Sequence, residues 1–103
     1  MVYTNKIRFE WDDFKAQLNE AKHGVSFEKA ITSFDDPFAL IAPDEKHSSK
    51  GEVREWLIGE SDDDVLVIVF TRRLSGCVFR IISARKAGKW ERKSYEEAKR
   101  VSF

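Results

Sequence analysis

The sequence contains few residues that could cross-link the chain or hold it in a membrane. Its single cysteine, Cys77, excludes an internal disulfide, and no Cys/His cluster has the spacing of a metal site. No apolar stretch approaches the length of a membrane span, and the first residues do not form a charged-then-apolar signal segment. These absences predict a cytoplasmic protein that uses no metal or other cofactor and no membrane. They also favour an apolar strand position for Cys77 over a reactive thiol.

The chain is also short, and it lacks internal repeats, low-complexity segments and linkers. Its 103 residues have room for one hydrophobic core. The hydrophobic fraction of 42% is slightly low, but eight phenylalanines and three tryptophans bury a large area per residue. We therefore expect a single domain over residues 1–103.

The net charge of zero conceals an uneven distribution of charge along the chain. Residues 1–71 contain 8 basic and 15 acidic side chains, whereas residues 72–103 contain 10 basic and 3 acidic ones. This asymmetry predicts a bipolar surface with one basic side suited to phosphates, most simply those of RNA. In the alternative interpretation, the two parts neutralise each other across the fold.

Hydrophobic periodicity predicts an α+β fold with the element order β-α-α-β-β-β-β-α. In the first helix, Phe14, Leu18 and Ala21 form one apolar stripe, and Gly24 ends the helix. The four consecutive strands imply a curved antiparallel sheet with the helices packed on it. The predicted strands cover residues 7–11, 38–42, 53–59, 65–70 and 78–84, and the predicted helices cover residues 12–22, 26–34 and 89–101.

Arginines occur in and around the two longest predicted strands. Arg72 and Arg73 end one strand, Arg80 lies inside the next, and Arg85 and Lys86 follow it. An arginine in an apolar strand loses hydration unless it has a partner, and its planar fork suits phosphate oxygens. We therefore expect phosphate binding at Arg80, with pairing to a buried glutamate as the alternative.

The register of this hairpin decides which arginines share a face of the sheet. A three-residue loop with simple pairing puts Arg80 on the side of Arg72, and Arg73 on the side of Arg85. A bulge in the turn shifts the pairing by one residue and moves Arg73 to the side of Arg80. The sequence leaves both registers open.

Other candidate side chains lie outside the hairpin. Lys22 and His23 stand at a helix C-terminus, where they either cap the helix or contact a substrate and move a proton. Tyr95, on the last helix, either stacks on a base, donates a proton or packs on the sheet. Glu55 offers a carboxylate for a general base or for a salt bridge. His47 is expected to be an exposed loop residue.

Ordered landmarks along residues 9–97 add a further observation. They are Phe9-Glu10-Trp11-Asp12, Lys22-His23-Gly24-Val25-Ser26-Phe27-Glu28-Lys29-Ala30, Phe34-Asp35-Asp36-Pro37, Asp44 with His47-Ser48, Arg54-Glu55, Ile58-Gly59, Val69-Phe70-Thr71 with Arg73, Arg80-Ile81-Ile82-Ser83-Ala84-Arg85-Lys86-Ala87, and Glu91-Arg92 with Tyr95-Glu96. In this order they resemble the BrnT toxin family of type II toxin–antitoxin systems. The stretch Gly88-Lys89-Trp90 departs from the family pattern.

The resemblance implies a RelE-like fold and an endoribonuclease toxin that blocks translation by cutting RNA. It implies a BrnA-type antitoxin as the protein partner, with operator DNA reached only indirectly through the antitoxin. A toxin homodimer within the complex is one arrangement that it allows. The chemistry would be metal-independent transesterification, in which the ribose 2′-OH attacks its own phosphate.

That chemistry needs a base, an acid and positive charge at the phosphate. The candidate catalytic residues are Arg80 and Arg73 for charge stabilisation, Lys22 or Glu55 for the base, and His23 or Tyr95 for the acid. The candidate RNA-binding residues are Arg85, Lys86, Arg72 and Arg92. The rival hypotheses are a non-catalytic module that binds nucleic acid or protein, and a structural subunit of an autorepressor complex.

Overall fold

The strands of the described residues form one six-stranded sheet. The computed structural model describes the backbone of residues 2–4 and residues 7–101 in full. The strands are β1 (Val2–Thr4), β2 (Ile7–Glu10), β3 (Leu40–Pro43), β4 (Arg54–Ser61), β5 (Asp64–Arg73) and β6 (Val78–Lys86), and the helices are α1 (Asp13–His23), α2 (Phe27–Thr32) and α3 (Lys89–Val101). Across the sheet the order is β1-β2-β6-β5-β4-β3. The predicted α+β class and element order are confirmed, and β1 is an additional strand.

The sheet is mixed rather than wholly antiparallel. Strands β3, β4, β5 and β6 pair antiparallel in succession, as predicted. Strand β2 instead runs parallel to β6 and places Glu10 opposite Arg80. A parallel neighbour requires a long crossover connection, and here α1, α2 and three strands lie between the two in sequence.

None of the helices in the described ranges is long and apolar enough to cross a membrane.

The helix boundaries follow from side-chain and glycine caps. Asp12 caps α1, which begins at Asp13, because its side chain accepts a hydrogen bond from the backbone N–H of Lys15. Gly24 ends α1 as predicted, with a φ of 71° that glycine adopts at little cost. Ser26 caps α2 by the same kind of bond. His23 is therefore the last residue of α1, immediately before the left-handed Gly24 that ends the helix.

The main core lies between α2 and one face of the sheet. Phe27, Ala30 and Ile31 of α2 are buried there. The ring of Phe34, just after α2, meets the ring of Phe70 edge-on at 5.1 Å between centroids. Such aromatic pairs contribute about 0.5–1.5 kcal/mol beyond the area that they bury. Helix α3 packs on the opposite face of the sheet.

Helix α1 presents a different side to the protein from the one that its apolar stripe predicted. Phe14 and Leu18 are 68% and 54% exposed and Ala21 is exposed, so the predicted inward stripe is wrong. The helix lies beside β6, next to the part of that strand that extends beyond its pairing with β2. The buried residue of the helix is Asn19. Asn19 Oδ1 accepts from the N–H of Ala84 at 3.1 Å, and its Nδ2 donates to the Ala84 carbonyl at 2.8 Å. A polar side chain faces inward because a sheet edge presents backbone polar groups.

The turn between β5 and β6 has four residues rather than three. Leu74, Ser75 and Gly76 have φ angles of 51°, 57° and 86°, and Cys77 completes the turn. Cys77 is exposed there, so the expected apolar strand position is wrong. The extra turn residue shifts the pairing of the hairpin by one position.

The shifted register gathers three arginines on one face of the sheet. Thr71 pairs with Arg80, so Arg73 lies on the side of Arg80 and Arg72 lies on the other side. The simple pairing is therefore not adopted. A bulge further along β6 adds one residue, and Arg85 consequently shares the face of Arg80 although it is five positions away. We call the side that carries Arg73, Arg80 and Arg85 the arginine face.

Candidate functional site

A groove on the arginine face collects both histidines of the chain. It forms where the end of α1, the loop before β4, the sheet and the start of α3 meet, and its volume is about 730 Å³. That volume is within the usual range for ligand sites. We call it the histidine groove, and its lining includes Lys22, His23, His47, Trp56, Arg85 and Trp90.

His47 is oriented by a carboxylate at the edge of this groove. Its Nδ1 lies 3.0 Å from Oδ2 and 3.1 Å from Oδ1 of Asp44. A carboxylate at Nδ1 favours the tautomer with the proton there, which leaves the lone pair of Nε2 free. The side chain is 58% exposed, so its predicted exposure is confirmed. No local pattern in the sequence indicated that His47 and His23 would line the same groove.

His23 and Lys22 reach the groove from the C-terminus of α1. The helix end is already capped by the backbone, because the N–H of Gly24 donates to the carbonyl of Glu20 at 2.8 Å. Lys22 and His23 are the basic residues of the last helical turn, where their charge suits the helix dipole. Lys22 is exposed and His23 is half-buried. Both side chains also line the histidine groove.

Arg85 is fixed in the groove by two hydrogen bonds to one carboxylate. Its Nη1 and Nη2 donate to the two oxygens of Glu91 at 2.7 and 2.6 Å. Glu91 also accepts from the N–H of Gly88 at 2.7 Å, at the start of α3. The hydrogen bonds from Arg85 hold the pKa of Glu91 below its usual value. The guanidinium remains 42% exposed, so it is both held in place and accessible.

A second cluster of charge lies at the hairpin end of the arginine face. Glu10 Oε1 is 3.4 Å from Nη1 of Arg80 and 3.9 Å from Nε of Arg73. Arg80 therefore pairs with a glutamate, as in the alternative interpretation, but this glutamate is partly exposed and not buried. Arg54 and Lys15 line the same small depression of about 210 Å³. The cluster contains no histidine among its described lining residues.

Glu55 and Arg72 lie on the other face of the sheet. Nε of Arg72 donates to Oε1 of Glu55 at 2.6 Å, and its guanidinium lies 4.8 Å from the centroid of the Phe79 ring. The structure thus does not bring Glu55 or Arg72 beside Arg80. For Glu55, the salt bridge is the interaction that forms.

Tyr95 is completely buried and does not line the groove. Its hydroxyl donates to Oδ2 of Asp36 at 2.5 Å. Burial, followed by this hydrogen bond, raises the pKa of Tyr95 above its usual range. The side chain packs with Ile58, Val67 and Ala87 between α3 and the sheet. Of the three interpretations of Tyr95, the structure therefore supports packing.

The remaining predicted RNA contacts lie away from the groove lining. Lys86 is exposed, 4.0 Å from Asp64, and Arg92 is exposed on α3. Several ion pairs join the acidic and basic parts of the chain, so the two parts partly neutralise each other, as the alternative interpretation held. These pairs are Glu10–Arg73, Glu10–Arg80, Glu55–Arg72, Asp64–Lys86 and Glu60–Lys99.

The sequence interpretation missed three residues of these clusters: Glu10, His47 and Trp90. Glu10 is brought to Arg80 by a parallel pairing that no local pattern indicates. For His47, a usable signal was present, because Asp44 precedes it by three residues in a short turn. Within the described ranges, no three His, Cys, Asp or Glu side chains converge as a metal site.

A match to a known protein family covers most of this arrangement. No curated protein sequence matches the chain. The sequence model of the family described as "Ribonuclease toxin, BrnT, of type II toxin-antitoxin system" matches residues 11–91. This range is more than half of the chain and includes His23, His47, Arg80, Arg85 and Glu91. The chain therefore belongs to the BrnT family of type II toxin–antitoxin systems, whose members are ribonuclease toxins with RNA as the target and a protein antitoxin as the partner.

Proposed function

We propose that the protein is an endoribonuclease that cuts RNA by transesterification in the histidine groove. The observation that carries this proposal is that both histidines line one groove together with Lys22 and Arg85. Cleavage by the ribose 2′-OH needs a base, an acid and positive charge at the phosphate. These four side chains supply all three, so the reaction needs no metal ion.

In the proposed reaction, the 2′-oxygen of a ribose bonds to the phosphorus of its own 3′-phosphate while the bond from phosphorus to the 5′-oxygen breaks. Nε2 of His47 takes the proton of the 2′-OH, and His23 gives a proton to the departing 5′-oxygen. The products are a 2′,3′-cyclic phosphate and a free 5′-OH end. Proton exchange with water then returns both imidazoles to their starting states.

The assignment of His47 as the base rests on its contact with Asp44. The carboxylate holds Nδ1, so the free lone pair of Nε2 is the one that a ligand meets. Asp44 also stabilises the imidazolium that forms after proton transfer. His23 lines the same groove from the C-terminus of α1, where the helix dipole favours positive charge, and this suits a side chain that must carry a proton when substrate binds.

Positive charge at the phosphate comes from Arg85 and Lys22 in this proposal. Glu91 fixes the guanidinium of Arg85 with two bonds, so little reorganisation is needed as the phosphorane forms. This assignment exchanges the roles that the sequence suggested for Arg85 and Arg80. The reason is geometric: Arg85 lines a groove with two histidines, whereas Arg80 is paired with Glu10.

Arg80 and Arg73 bind neighbouring phosphates of the RNA in this account. Arg85 lies five positions after Arg80 on β6, a distance of about 15 Å along an extended strand. Both arginines lie on the same face because of the bulge in β6. The RNA backbone would follow that face, and its phosphates would replace Glu10 as the partner of Arg80.

We further propose a BrnA-type antitoxin as the neutralising partner. RNA cleavage would stop translation in the cytoplasm, and the complex would repress its own promoter through the DNA-binding part of the antitoxin. A toxin homodimer inside that complex is part of the same proposal. The antitoxin contact must leave the groove closed or distorted for neutralisation to occur.

The direct test is inducible expression of the chain alone in bacteria, followed by growth and RNA integrity measurements. The proposal expects growth arrest, rescue by the antitoxin encoded beside it, and RNA ends that carry cyclic phosphate. Purified protein should cut RNA in excess EDTA. Normal growth at confirmed soluble expression would contradict the proposal, and salt-dependent RNA binding without turnover would indicate a binding module instead.

A further inference from the structure

Trp90 is the most exposed of the three tryptophans and lies at the rim of the histidine groove. Its side chain is 71% exposed, in the first turn of α3, next to Glu91. Trp56 is half-buried and lines the floor of the same groove from β4. Exposure alone assigns no role to a single apolar side chain. Its place beside His23 and Arg85 is what distinguishes Trp90 from other exposed aromatic residues.

Two lysines accompany the indole ring. Nζ of Lys93 lies 5.5 Å from the ring centroid of Trp90, and Nζ of Lys89 lies 5.9 Å from it. An exposed aromatic ring with two ammonium groups over it matches one nucleotide, since a base can take the place of an ammonium group on the π-face while the ammonium groups meet the phosphates. A protein ligand would need no such pairing of a flat ring with two cations.

We propose that Trp90 stacks on a base of single-stranded RNA next to the phosphate that is cut, while Lys89 and Lys93 hold the phosphates of that nucleotide. The location of the cut rests on the proposed function, but the stacking does not require cleavage. A stacked base must be unpaired, because base faces are covered inside a duplex. Trp90 therefore selects single-stranded RNA for the groove.

The test uses a probe that cannot be cut. A labelled 2′-O-methyl oligonucleotide lacks the attacking hydroxyl, and its affinity for the full-length protein can be measured by fluorescence anisotropy. Trp90→Ala should weaken binding roughly 5-fold to 100-fold, as loss of one stacked base does. Trp90→Phe should retain most of the affinity. Phe14→Ala is the matched control, because Phe14 is 68% exposed and does not line the groove.

Oligonucleotides with one abasic position locate the stacked base. For the parent protein, removal of one particular base should weaken binding about as much as Trp90→Ala does. The variant should then lose no further affinity with that same oligonucleotide, since the two changes remove one contact. A duplex of the same sequence should bind parent and variant equally.

Unchanged affinity of Trp90→Ala for the single strand would overturn the proposal. So would loss of antitoxin binding with RNA binding intact, because Trp90 would then belong to a protein interface. Failure of the parent to bind the probe would also overturn it. If the stacking effect is found and unmodified RNA is not cut, the proposed function fails while this inference stands.

Discussion

Oε1 of Glu10 lies 3.4 Å from Nη1 of Arg80, across the parallel pair of strands β2 and β6. Both side chains are about one-third exposed or less, at 27% and 31%. A partly exposed pair of this kind contributes about 1 kcal/mol or less to stability. The interaction is therefore weak enough for a phosphate to replace the carboxylate.

We predict that Glu10→Gln strengthens RNA binding, because it removes the carboxylate that competes with phosphate. Arg80→Ala should weaken binding roughly 10-fold or more, since a charged hydrogen bond is lost. Arg80→Lys should recover only part of that loss, because an ammonium cannot bind phosphate with a fork. Anisotropy with uncleavable RNA at several salt concentrations measures these effects.

Thermal melts of the same variants provide the control. Each should change the free energy of unfolding by about 1 kcal/mol or less. An Arg80→Ala variant that binds RNA normally and melts far below the parent would show that Arg80 has only a structural role.

Tyr95→Phe should lower stability and leave cleavage nearly unchanged. The change removes a buried hydroxyl that donates to the ionised carboxylate of Asp36, at a cost of about 1.5–3 kcal/mol. The ring itself stays in place between α3 and the sheet. Urea denaturation and RNA cleavage assays on one preparation measure both effects. A large loss of cleavage with normal stability would restore Tyr95 as a proton donor.

We predict that the folded protein loses stability in acid because of Asp36. Burial raises the pKa of its carboxyl, but hydrogen bonds from Tyr95 and from the N–H groups of Glu60 and Phe38 outweigh that effect and leave the pKa below its usual value. Since the folded pKa lies below the unfolded value of about 3.9, the stabilisation is complete above that pH and is lost as the pH falls through the folded pKa.

Asp36→Asn should therefore lower the free energy of unfolding by about 1–2 kcal/mol at neutral pH and by less near pH 3. Urea denaturation at the two pH values measures the difference. Asp63→Asn, at an exposed turn position, is the control and should change stability little at either pH. A deficit for Asp36→Asn that stays constant with pH would contradict the assignment.

Asn19→Ala should be among the more destabilising single changes in α1, although alanine favours helices. It leaves the N–H and carbonyl of Ala84 and the carbonyl of Val25 without their side-chain partner. We expect a loss of about 1–3 kcal/mol or more. Gln17→Ala, on the exposed side of the same helix, is the matched control. Equal melting temperatures for the two variants would show that the edge contact is unimportant.

Local patterns in the sequence were sufficient to predict the three helices and strands β2 to β6, but they did not predict β1. The helix ends at Asp12, Gly24 and Ser26 arise from chemistry that acts within four residues. The orientation of α1 was not predictable in this way. Phe14 and Leu18 formed a helical apolar stripe, but the inward side was decided by the free edge of β6, which is remote in sequence.

The site was predictable only in part, because its geometry depends on contacts between distant segments. Arg80 was found from its place inside an apolar strand and Arg85 from its place just after that strand, but a bulge in β6 decided that they share a face. His47 reaches the groove by the course of a loop, and Glu10 reaches Arg80 by a parallel pairing. No periodicity in the sequence contains these relationships.

In the proposed mechanism, His23 and His47 cut RNA together in one groove. The most direct measurement is the cleavage rate of a defined RNA, in EDTA, by purified His23→Ala and His47→Ala. Lys46→Ala is the matched control, since Lys46 is exposed beside His47 and does not line the groove. Each histidine variant should lose roughly 10²-fold to 10⁴-fold in cleavage rate with little change in melting temperature, while the control should stay active. Cleavage at the parental rate by both histidine variants would contradict the mechanism.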